Sequence, residues 1–309
     1  MNTILNFLRK IKRKVLMLRI EILLKFRTRK GFYALDINNI EMGLGARIIS
    51  AFEILLFCDR HGFQPLIKFD YCEKNKQRAN YFGKLFNYIN LNKDIPKNIK
   101  YTSFFDCTYL PWKKENDLEL SQVSLVAAKQ LFDKYLVINP IVSDEVDSFT
   151  KKWFAGKRVL GLHYRGTDKI VEAPFVPFDE LVEKMKEVIE KKATFDLIFI
   201  SSDDIKIIEK IKELDLNIPV VCREDSIRAE DGVHFHLNPK KSKEVINHEA
   251  IVNCLILSRC DFLIKNASLL SDCSMIFNPD LPAIILNFPY EDRLFWPTTE
   301  ILRNRHLYS

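Results

Sequence analysis

The amino-acid sequence predicts an α/β protein built from two Rossmann-type domains, and three observations support this fold class. Strand and helix patterns alternate regularly through the second half of the chain, which is typical of a parallel sheet covered by helices. A strand, a glycine-containing loop and a helix open the first half. The chain has 309 residues, 47% of them hydrophobic, which suffices for the cores of two ordinary domains. A cleft between two such domains is a common place for a small-molecule site.

The chain divides into four predicted segments. Residues 1–30 form an N-terminal arm, residues 31–155 a first domain and residues 156–290 a second domain. The boundary between the two domains is expected near residues 150–156. Residues 291–309 hold a final helix that could cross back to the first domain.

The N-terminal arm carries most of the positive charge. Residues 1–30 hold ten Lys or Arg and one acid, Glu21, whereas the remainder is slightly acidic, and the net charge is +6. Apolar residues recur every three to four positions between these bases, which predicts a basic amphipathic helix. Such a helix lies on an anionic membrane surface, packs on the protein or on another copy, or binds nucleic acid. We expect the membrane surface, through residues 1–28, and no nucleic-acid partner, because no other part of the chain interleaves aromatic and basic residues.

Composition also bounds the cellular compartment. The seven Cys are odd in number, lie mostly in apolar runs and form no C-x-x-C pair, which predicts reduced core thiols without disulfides or structural zinc. The sequence has no uncharged apolar stretch of membrane-spanning length and no secretory signal pattern. We therefore expect a cytoplasmic protein, peripheral on the inner face of the cytoplasmic membrane if the arm binds there.

The first domain opens with a phosphate-binding layout. A strand leads through the loop Glu41–Gly45 into a helix. Gly43 and Gly45 let backbone N–H groups approach a diphosphate, and the helix N-terminus adds a favourable dipole. The alternative is an ordinary glycine turn. Arg47, just inside the helix, is either a second phosphate contact or a solvated charge.

The individual elements are predicted from periodicity and turn residues. In the first domain they are a strand over 31–40, a helix over 46–61, a strand over 64–69, an aromatic-rich helix or loop over 81–88, a strand over 101–105 and a helix over 118–135. In the second domain they are strands over 158–164, 196–201, 218–222, 261–265 and 282–287, and helices over 178–192, 204–213, 246–259 and 269–276. The final helix is predicted over 296–308.

The segment Gly161–Lys169, GLHYRGTDK, ends a buried strand with a cluster of ionisable residues. Ligands of open α/β sheets bind at the carboxyl ends of the strands. Alternation places His163 and Arg165 on the same side of the strand, and a guanidinium beside an imidazole suits a diphosphate and its base. The alternative is a salt bridge at the strand end. Asp168 and Lys169 complete the cluster.

Three segments together resemble the eukaryotic α1,6-fucosyltransferases and the related bacterial nodulation-type fucosyltransferases. HYRGTDK followed by IVEAPFVPFDEL is similar to the HxRRTDK segment of those enzymes, with its later Glu-Ala-x-Phe and Pro residues. Asp196–Asp204 looks like their strand that ends in paired aspartates. Leu257–Ile264, followed by Asn266-Ala267-Ser268, is similar to their LSxADFLV…SS block. The order of the segments agrees, and they span about residues 157–275.

The resemblance implies a GT-B enzyme that transfers fucose from GDP-fucose to a hydroxyl of a saccharide acceptor, with inversion, in surface glycan synthesis. No cofactor and no metal are expected, and the adjacent Asp203 and Asp204 are expected to cap a helix and shape the donor site rather than bind a cation. The first domain would be the acceptor side. The expected donor-binding residues are His163, Arg165, Gly43, Gly45, Asp203, Asp204, Asn253 and Ser268.

The resemblance also nominates a catalytic base. Glu172 stands in the segment that matches Glu-Ala-x-Phe, after a one-residue deletion behind Lys169, and an inverting transfer needs a base beside the acceptor hydroxyl. The alternative is a solvated loop glutamate. Asp168 is the second candidate for the base, although its place suits holding Arg165 or Lys169. The expected catalytic set is Glu172, Arg165, Asp168 and Lys169.

Three positions depart from the family pattern. Asn253 stands where these enzymes usually have an aspartate that reads the guanine edge, and an amide accepts fewer N–H bonds than a carboxylate. Gly166 replaces the second arginine of HxRR, and Leu269 replaces a second serine after Ser268. These differences leave open a transferase that uses another nucleotide sugar, or a non-catalytic peripheral-membrane or glycan-binding protein on the same fold.

Overall fold

The computed structural model describes residues 31–38, 42–72, 78–91, 95, 99, 101–103, 120–165, 172–191, 194–224, 242–291 and 294–304, with the backbone alone at 70–72, 78–79 and 102–103. The N-terminal arm lies outside the described residues, so its amphipathic helix and its membrane contact stay predictions. Asp168 and Lys169 lie outside them as well.

The chain separates into two compact units. Unit 1 comprises Met1–Met42 and Ser50–Val137, and unit 2 comprises Gly43–Ile49 and Ile138–Ser309. The expected domain boundary near 150–156 therefore falls inside unit 2, and the predicted glycine loop groups partly with unit 2. That the final helix crosses back to the first domain stays a prediction.

Unit 1 contains a small parallel sheet. In chain order its described elements are β1 (Phe32–Asp36), α1 (Leu44–His61, which begins in unit 2), β2 (Gln64–Lys68), β3 (Asp70–Cys72), β4 (Arg78–Asn80), α2 (Phe82–Leu85), β5 (Phe86–Tyr88), β6 (Thr102–Ser103), α3 (Leu125–Tyr135) and β7 (Leu136–Ile138). The parallel strands follow the order β2-β1-β6, β3 pairs antiparallel with β4, and β5 pairs with β7. A strand, helix and strand at the start of the chain are thus confirmed.

Aromatic rings fill much of the core of unit 1. Phe69 and Phe82 meet edge to face with ring centroids 5.0 Å apart, and Phe132 lies 5.7 Å from Phe86 and 6.2 Å from Phe52. Ring pairs at such separations add roughly 0.5–1.5 kcal/mol beyond their burial. Much of the high Phe content is therefore structural.

Unit 2 is a doubly wound Rossmann-type unit. Its described elements are α4 (Pro140–Trp153), β8 (Val159–Tyr164), α5 (Phe178–Lys191), β9 (Leu197–Ser202), α6 (Ile205–Lys212), β10 (Val220–Val221), α7 (Lys243–Leu257), β11 (Phe262–Lys265), α8 (Leu269–Phe277), β12 (Ala283–Ile285) and α9 (Thr298–Arg303). All five strands are parallel, in the order β10-β9-β8-β11-β12. The strand order reverses between β8 and β11, which is the switch point where such sheets bind ligands. The alternation predicted for this region is confirmed.

Helices cover both faces of the unit 2 sheet. On one face, Leu162 and Ile200 pack in a core cluster with Leu181 of α5 and Ile208 of α6. The alternate residues of β8 and β9 face the helices on the other side of the sheet. This alternation sends His163 and Arg165 to the side opposite Leu162.

The second face is covered by α4 and α7. The ring of Phe199 on β9 lies 5.5 Å from Phe149 of α4 and 5.9 Å from Phe154. A Cβ added at Gly161 would come within 3.4 Å of Leu257 of α7, so this strand and helix pack closely. His163 and Arg165 share this side of β8 with Gly161.

Several short elements differ from the prediction. Strands β3, β4, β5 and β7 have three residues each, too few for a periodic signal. Helix α4 was not predicted, although its start carries a capping signal: Asn139 Oδ1 accepts a hydrogen bond from Ile141 N at 3.0 Å, and Pro140 follows the cap. Helix α1 begins two residues earlier than predicted, which moves Gly45 from the loop into its first turn.

Candidate functional site

The candidate site lies at the carboxyl edge of the unit 2 sheet, around the switch point. His163 lies one residue before the end of the buried strand β8 and is in register with Ser201 of β9 and Lys265 of β11. Arg165 follows directly after β8. Polar groups from three neighbouring strands therefore meet where the strand order reverses, as the sequence predicts for His163 and Arg165.

Asn266 fixes the backbone of Arg165. Its Oδ1 accepts a hydrogen bond from Arg165 N at 3.0 Å, and its Nδ2 donates to Arg165 O at 2.7 Å. Asn266 N also donates to His163 O at 3.2 Å. One amide thus continues the β8–β11 pairing beyond the last strand residue. The prediction missed Asn266, although an amide directly after a predicted strand was a usable signal.

Arg165 forms a loose ion pair with Asp203. Arg165 Nε lies 3.7 Å from Asp203 Oδ2, and the two side chains are 20% and 9% exposed. A charge-assisted hydrogen bond between such groups measures about 2.7–2.9 Å. Asp203 therefore balances the charge of the guanidinium without the close bidentate geometry of a closed pair. The salt bridge offered as the alternative role of Arg165 exists, and the diphosphate contact stays a prediction.

Asp204 has a different task from its neighbour. It is the N-cap of α6, where its Oδ1 accepts a hydrogen bond from Lys206 N at 2.9 Å. Ser202 Oγ in turn accepts from Asp204 N at 3.1 Å. The predicted capping role is therefore correct for Asp204, whereas Asp203 faces Arg165.

Gly45 lets the start of α1 approach the start of α8. A Cβ at Gly45 would lie 2.5 Å from Leu270 N, a distance that real Cβ atoms do not show. Gly43 differs, because a Cβ there would meet nothing within 4 Å. Close packing against α8 therefore requires a glycine at Gly45, and the approach of a diphosphate to Gly43 and Gly45 stays a prediction.

The N-terminus of α8 presents an unsatisfied hydroxyl. Ser268 is the N-cap residue, yet its side chain makes no capping hydrogen bond. The side chain is buried, and among the described residues its Oγ has no hydrogen-bond partner. Buried hydroxyls are normally paired, and a helix N-terminus attracts anions through its N–H groups and dipole. An anionic oxygen bound here would accept hydrogen bonds from the Ser268 hydroxyl and from the N–H groups at the start of the helix.

A buried ion pair holds α8 in place. Lys265 at the end of β11 contacts Asp272 Oδ1 in α8, and each side chain is 1% exposed. Thr298 Oγ1, at the start of α9, donates to Asp272 Oδ2. These contacts connect a strand end, the first turn of α8 and the start of α9, so they fix where the N-terminus of α8 lies. No pattern in the sequence predicts these contacts.

Two further cations lie near helix starts in unit 2. Arg47 in α1 is completely buried, which excludes the solvated alternative for this residue. Lys243 begins α7 after the cap Ser242. Its pKa is lowered by burial and by the charge of Arg47. The region therefore carries concentrated positive charge, and the phosphate contact of Arg47 itself stays a prediction.

The segment that carries Glu172 is tied to the same edge. Glu172 O accepts a hydrogen bond from Tyr290 N at 2.9 Å. The side chain of Asn287 bridges two segments, since its Oδ1 accepts from Ala267 N and its Nδ2 donates to Pro174 O, both at 2.6 Å. Asn287 thereby joins the Glu172 segment to the residue after Asn266. No pattern in the sequence predicts this role of Asn287.

Tyr164 anchors the other end of this segment. Its hydroxyl donates to Val176 O at 2.6 Å. Burial raises the pKa of Tyr164, with smaller contributions from the charges of Asp204 and Asp203, so the hydroxyl stays protonated as the donor. The exposed side chain of Glu172 therefore projects from a segment held at both ends.

A cavity lies away from the switch point. It has a volume of about 650 Å³ at the edge strand β10 and is lined by α4 and by residues that follow β10. Its Arg223 contacts Glu145 directly and lies 3.9 Å from Glu249, and Glu145 also meets His248 Nε2 at 2.6 Å. The cation here is already balanced by two carboxylates, which makes it a weaker anion site than the edge around Arg165.

No family model matches this chain, and no curated protein matches it. Solved structures do. NodZ α-1,6-fucosyltransferase soaked with GDP-fucose is 14% identical, with a TM-score of 0.56 over 82% of this chain and 94% of that chain. NodZ co-crystallized with GDP is 13% identical, with a TM-score of 0.56 over 82% of this chain and 94% of that chain. Fucosyltransferase NodZ from Bradyrhizobium is 14% identical, with a TM-score of 0.55 over 82% of this chain and 96% of that chain.

This chain has the fold of the NodZ fucosyltransferases. The predicted α/β, GT-B-like fold class is therefore confirmed. At identities this low the likeness establishes the fold, and the roles of individual side chains rest on their own geometry.

Within this GT-B-like fold the predicted residues separate into three groups. Unit 2 brings Arg165, Asp203 and Ser268 to the switch-point region, with Gly45 packed against α8. Asn253 lies half-buried on α7. Asp168 and Lys169 fall outside the described residues, so their catalytic roles stay predictions.

Among the described residues, no three or more His, Cys, Asp or Glu side chains are grouped to hold a metal ion. None of the described helices is both long and apolar enough to span a membrane. Five described cysteines are free thiols, and burial raises the pKa of one of them, Cys254, to about 12.

Proposed function

We propose that this chain is a glycosyltransferase that transfers fucose from GDP-fucose to a hydroxyl of a saccharide acceptor, with inversion and without a metal ion. The observation that carries the proposal is the polar edge at the switch point, where Arg165 and the hydroxyl of Ser268 lie in a fold shared with NodZ. NodZ has been crystallized with GDP and soaked with GDP-fucose. A nucleoside diphosphate fits the same edge here.

The diphosphate is the leaving group, and its developing charge needs fixed positive partners. The fork of Arg165 suits a phosphate through two parallel hydrogen bonds. Ser268 Oγ and the N-terminal amides of α8 supply further donors, and Lys243 adds a cation. Binding of the diphosphate would draw the guanidinium from Asp203. With these groups the transfer needs no divalent ion, so EDTA is expected to leave the rate unchanged.

His163 and Asn253 are assigned to the guanine base. The amide of Asn253 offers one acceptor oxygen where a carboxylate would accept two N–H bonds with charge assistance. Guanine selectivity is therefore expected to be lower than with an aspartate at this position. This expectation also favours the second candidate, a transferase that uses a different nucleotide sugar.

Glu172 is assigned as the general base. It removes the proton from the acceptor hydroxyl while the new bond to the sugar forms on the face opposite the leaving diphosphate. Hydrogen bonds donated by Tyr290 N and by Asn287 Nδ2 connect its segment with the edge that carries Arg165. Asp168 is the second candidate for this role, and Lys169 belongs to the same loop.

A donor panel tests the proposed function. Thermal shift and donor hydrolysis are measured with GDP-, UDP-, dTDP- and CMP-sugars on the intact protein. Stabilisation and hydrolysis with GDP-fucose alone is the expected result. A response to another nucleotide class would favour the second candidate, a transferase that uses a different nucleotide sugar. No response to any of the nucleotides would favour a non-catalytic glycan-binding protein.

The base is tested with Glu172→Gln and Asp168→Asn. Loss of general-base assistance lowers kcat by roughly two to four orders of magnitude. Glu172→Gln is expected to show this loss with unchanged GDP affinity and melting temperature. Near-normal turnover in Glu172→Gln together with collapse in Asp168→Asn would assign the base to Asp168.

The proposed location is the inner face of the cytoplasmic membrane, where the acceptor would be a precursor of a surface glycan. Removal of residues 1–28 is expected to abolish binding to anionic vesicles and to leave activity on a soluble acceptor unchanged, because the basic residues act at the membrane surface. Vesicle sedimentation at two salt concentrations measures this. Aggregation of the truncated chain would instead assign the apolar stripe to the protein core.

A further inference from the structure

Aromatic side chains are exposed in one part of the described chain only. Nine large hydrophobic side chains are exposed among the described residues, and the aromatic ones are Phe175 at 58%, Tyr290 at 43% and Phe295 at 55%. The other six are aliphatic and are distributed over both units. We call Phe175, Tyr290 and Phe295 the aromatic platform.

The three residues belong to two segments that are joined by hydrogen bonds. Tyr290 N donates to Glu172 O at 2.9 Å, three residues before Phe175. Asn287 Nδ2 donates to Pro174 O at 2.6 Å, directly before Phe175. The two segments therefore run side by side, and the rings of Phe175 and Tyr290 extend from neighbouring stretches of backbone.

Phe295 belongs to the same region. Leu294 N donates to Glu291 O at 3.4 Å, so the backbones of these two residues lie close together. With about 3.8 Å per residue and less than about 7 Å across a turn, the backbones of Tyr290 and Phe295 are no more than about 15 Å apart. Trp296, the next residue, is buried and anchors this stretch.

Exposed aromatic rings grouped beside a polar site indicate a ligand surface, because apolar side chains otherwise avoid water. The group beside them is Glu172, whose proposed partner is the acceptor hydroxyl. A pyranose ring has an apolar face of C–H groups and a rim of hydroxyls, so it can stack on an aromatic ring while a hydroxyl reaches a carboxylate. A lipid tail would favour the rings alone and would not use the carboxylate.

We infer that the aromatic platform binds the sugar rings of the acceptor and presents one of their hydroxyls to Glu172. This inference rests on the proposed function. The platform sets acceptor affinity, whereas the switch-point edge sets donor affinity.

The test compares the intact protein with the triple variant Phe175→Ala, Tyr290→Ala, Phe295→Ala. Ile141→Ala is the matched control, since Ile141 is also an exposed apolar side chain of unit 2, on α4. Saturation-transfer NMR is recorded with cellotetraose and maltotetraose as ring probes and with sorbitol as a polyol without a ring. GDP affinity is measured by calorimetry on the same samples.

The expected result is saturation transfer to the C–H protons of at least one tetraose and none to sorbitol. The triple variant is expected to weaken tetraose binding at least tenfold, with GDP affinity and melting temperature unchanged, and Ile141→Ala to behave as the wild type. Absence of tetraose binding in the wild type, or equal binding in the triple variant, would overturn the inference. Loss of GDP binding in every sample would instead refute the proposed function, and tetraose binding that still depended on the platform would then define a glycan-binding protein.

Discussion

Two ion pairs at the carboxyl edge of unit 2 differ in how completely they are closed. Lys265 and Asp272 are each 1% exposed, contact each other directly and share a further hydrogen bond from Thr298. Arg165 and Asp203 are 20% and 9% exposed, with 3.7 Å between Arg165 Nε and Asp203 Oδ2. The closed pair is part of the scaffold that positions α8. In our proposal the open pair supplies the cation that binds the diphosphate.

The comparison explains why burial alone does not identify a functional charge. A buried ion pair adds little net stability, because desolvation offsets most of the attraction between the charges. What the closed pair contributes is position: it connects β11 to the first turn of α8, next to Ser268. Arg165 is positioned through its backbone by Asn266, and we propose that its guanidinium exchanges Asp203 for the diphosphate.

The largest expected effect comes from breaking the closed pair. Asp272→Leu leaves the Lys265 ammonium buried without its carboxylate, and we expect a loss of about 3–5 kcal/mol in the free energy of unfolding, measured in urea. The control is the triple variant Lys265→Met, Asp272→Leu, Thr298→Val, which replaces all the polar partners together. Its free energy of unfolding is expected to lie within about 1 kcal/mol of that of the wild type. Equal destabilisation in the two variants would show that packing, not charge, makes this contact important.

Removing Arg165 from the loose pair is expected to change activity rather than stability. Arg165→Ala removes the proposed diphosphate partner, and we expect kcat/KM for GDP-fucose to fall by about 10²–10³-fold, the range for losing one transition-state donor. Arg165→Lys is expected to recover little, because the fork is lost. Arg259→Ala is the matched control, since Arg259 forms an exposed ion pair with Asp147 at 3.6 Å. A lower melting temperature with unchanged GDP affinity would make Arg165 a scaffold residue.

Positioning through Asn266 is tested separately. Asn266→Ala removes both hydrogen bonds to the Arg165 backbone, and a displacement of about 1 Å at a reacting group can lower the rate about 10²-fold. Asn278→Ala is the control, because Asn278 Nδ2 makes a similar 2.8 Å bond to Ser258 O at the other end of α8. Steady-state kinetics and thermal melting are compared for both. Equal losses of activity at equal melting temperature would contradict the positioning role.

The smallest effect concerns the two glycines. Gly45→Ala places a Cβ 2.5 Å from Leu270 N, so α1 and α8 must separate, at about 1–3 kcal/mol of overpacking strain. Gly43→Ala meets nothing within 4 Å and is expected to be nearly neutral. Urea unfolding and GDP affinity of the two variants measure the difference. Equal stability would mean that the helices adjust without strain.

The sequence predicts the second Rossmann-type unit well, because its helices and strands are long enough for their apolar periodicity to be clear. It also places His163 and Arg165 correctly at a strand end. It could not identify Asn266 or Asn287 as site residues, since the partners of these amides are backbone groups about 101 and 113 residues away for which no periodic pattern exists.

The buried contacts were also beyond sequence reasoning. The pairing of Lys265 with Asp272 and Thr298 depends on how β11, α8 and α9 meet, which local patterns do not fix. Arg47 illustrates the same difficulty, because its place in the first turns of a helix fits a solvated or a buried charge equally. Only the packing of α1 in unit 2 shows that it is buried.

A crystal soaked with GDP tests the central claim most directly. The claim is that the open pair is the diphosphate site and the closed pair its support. We predict the diphosphate within hydrogen-bond distance of the Arg165 guanidinium and Ser268 Oγ, with Lys265 still bound to Asp272. A diphosphate bound elsewhere, with Arg165 still against Asp203, would contradict it.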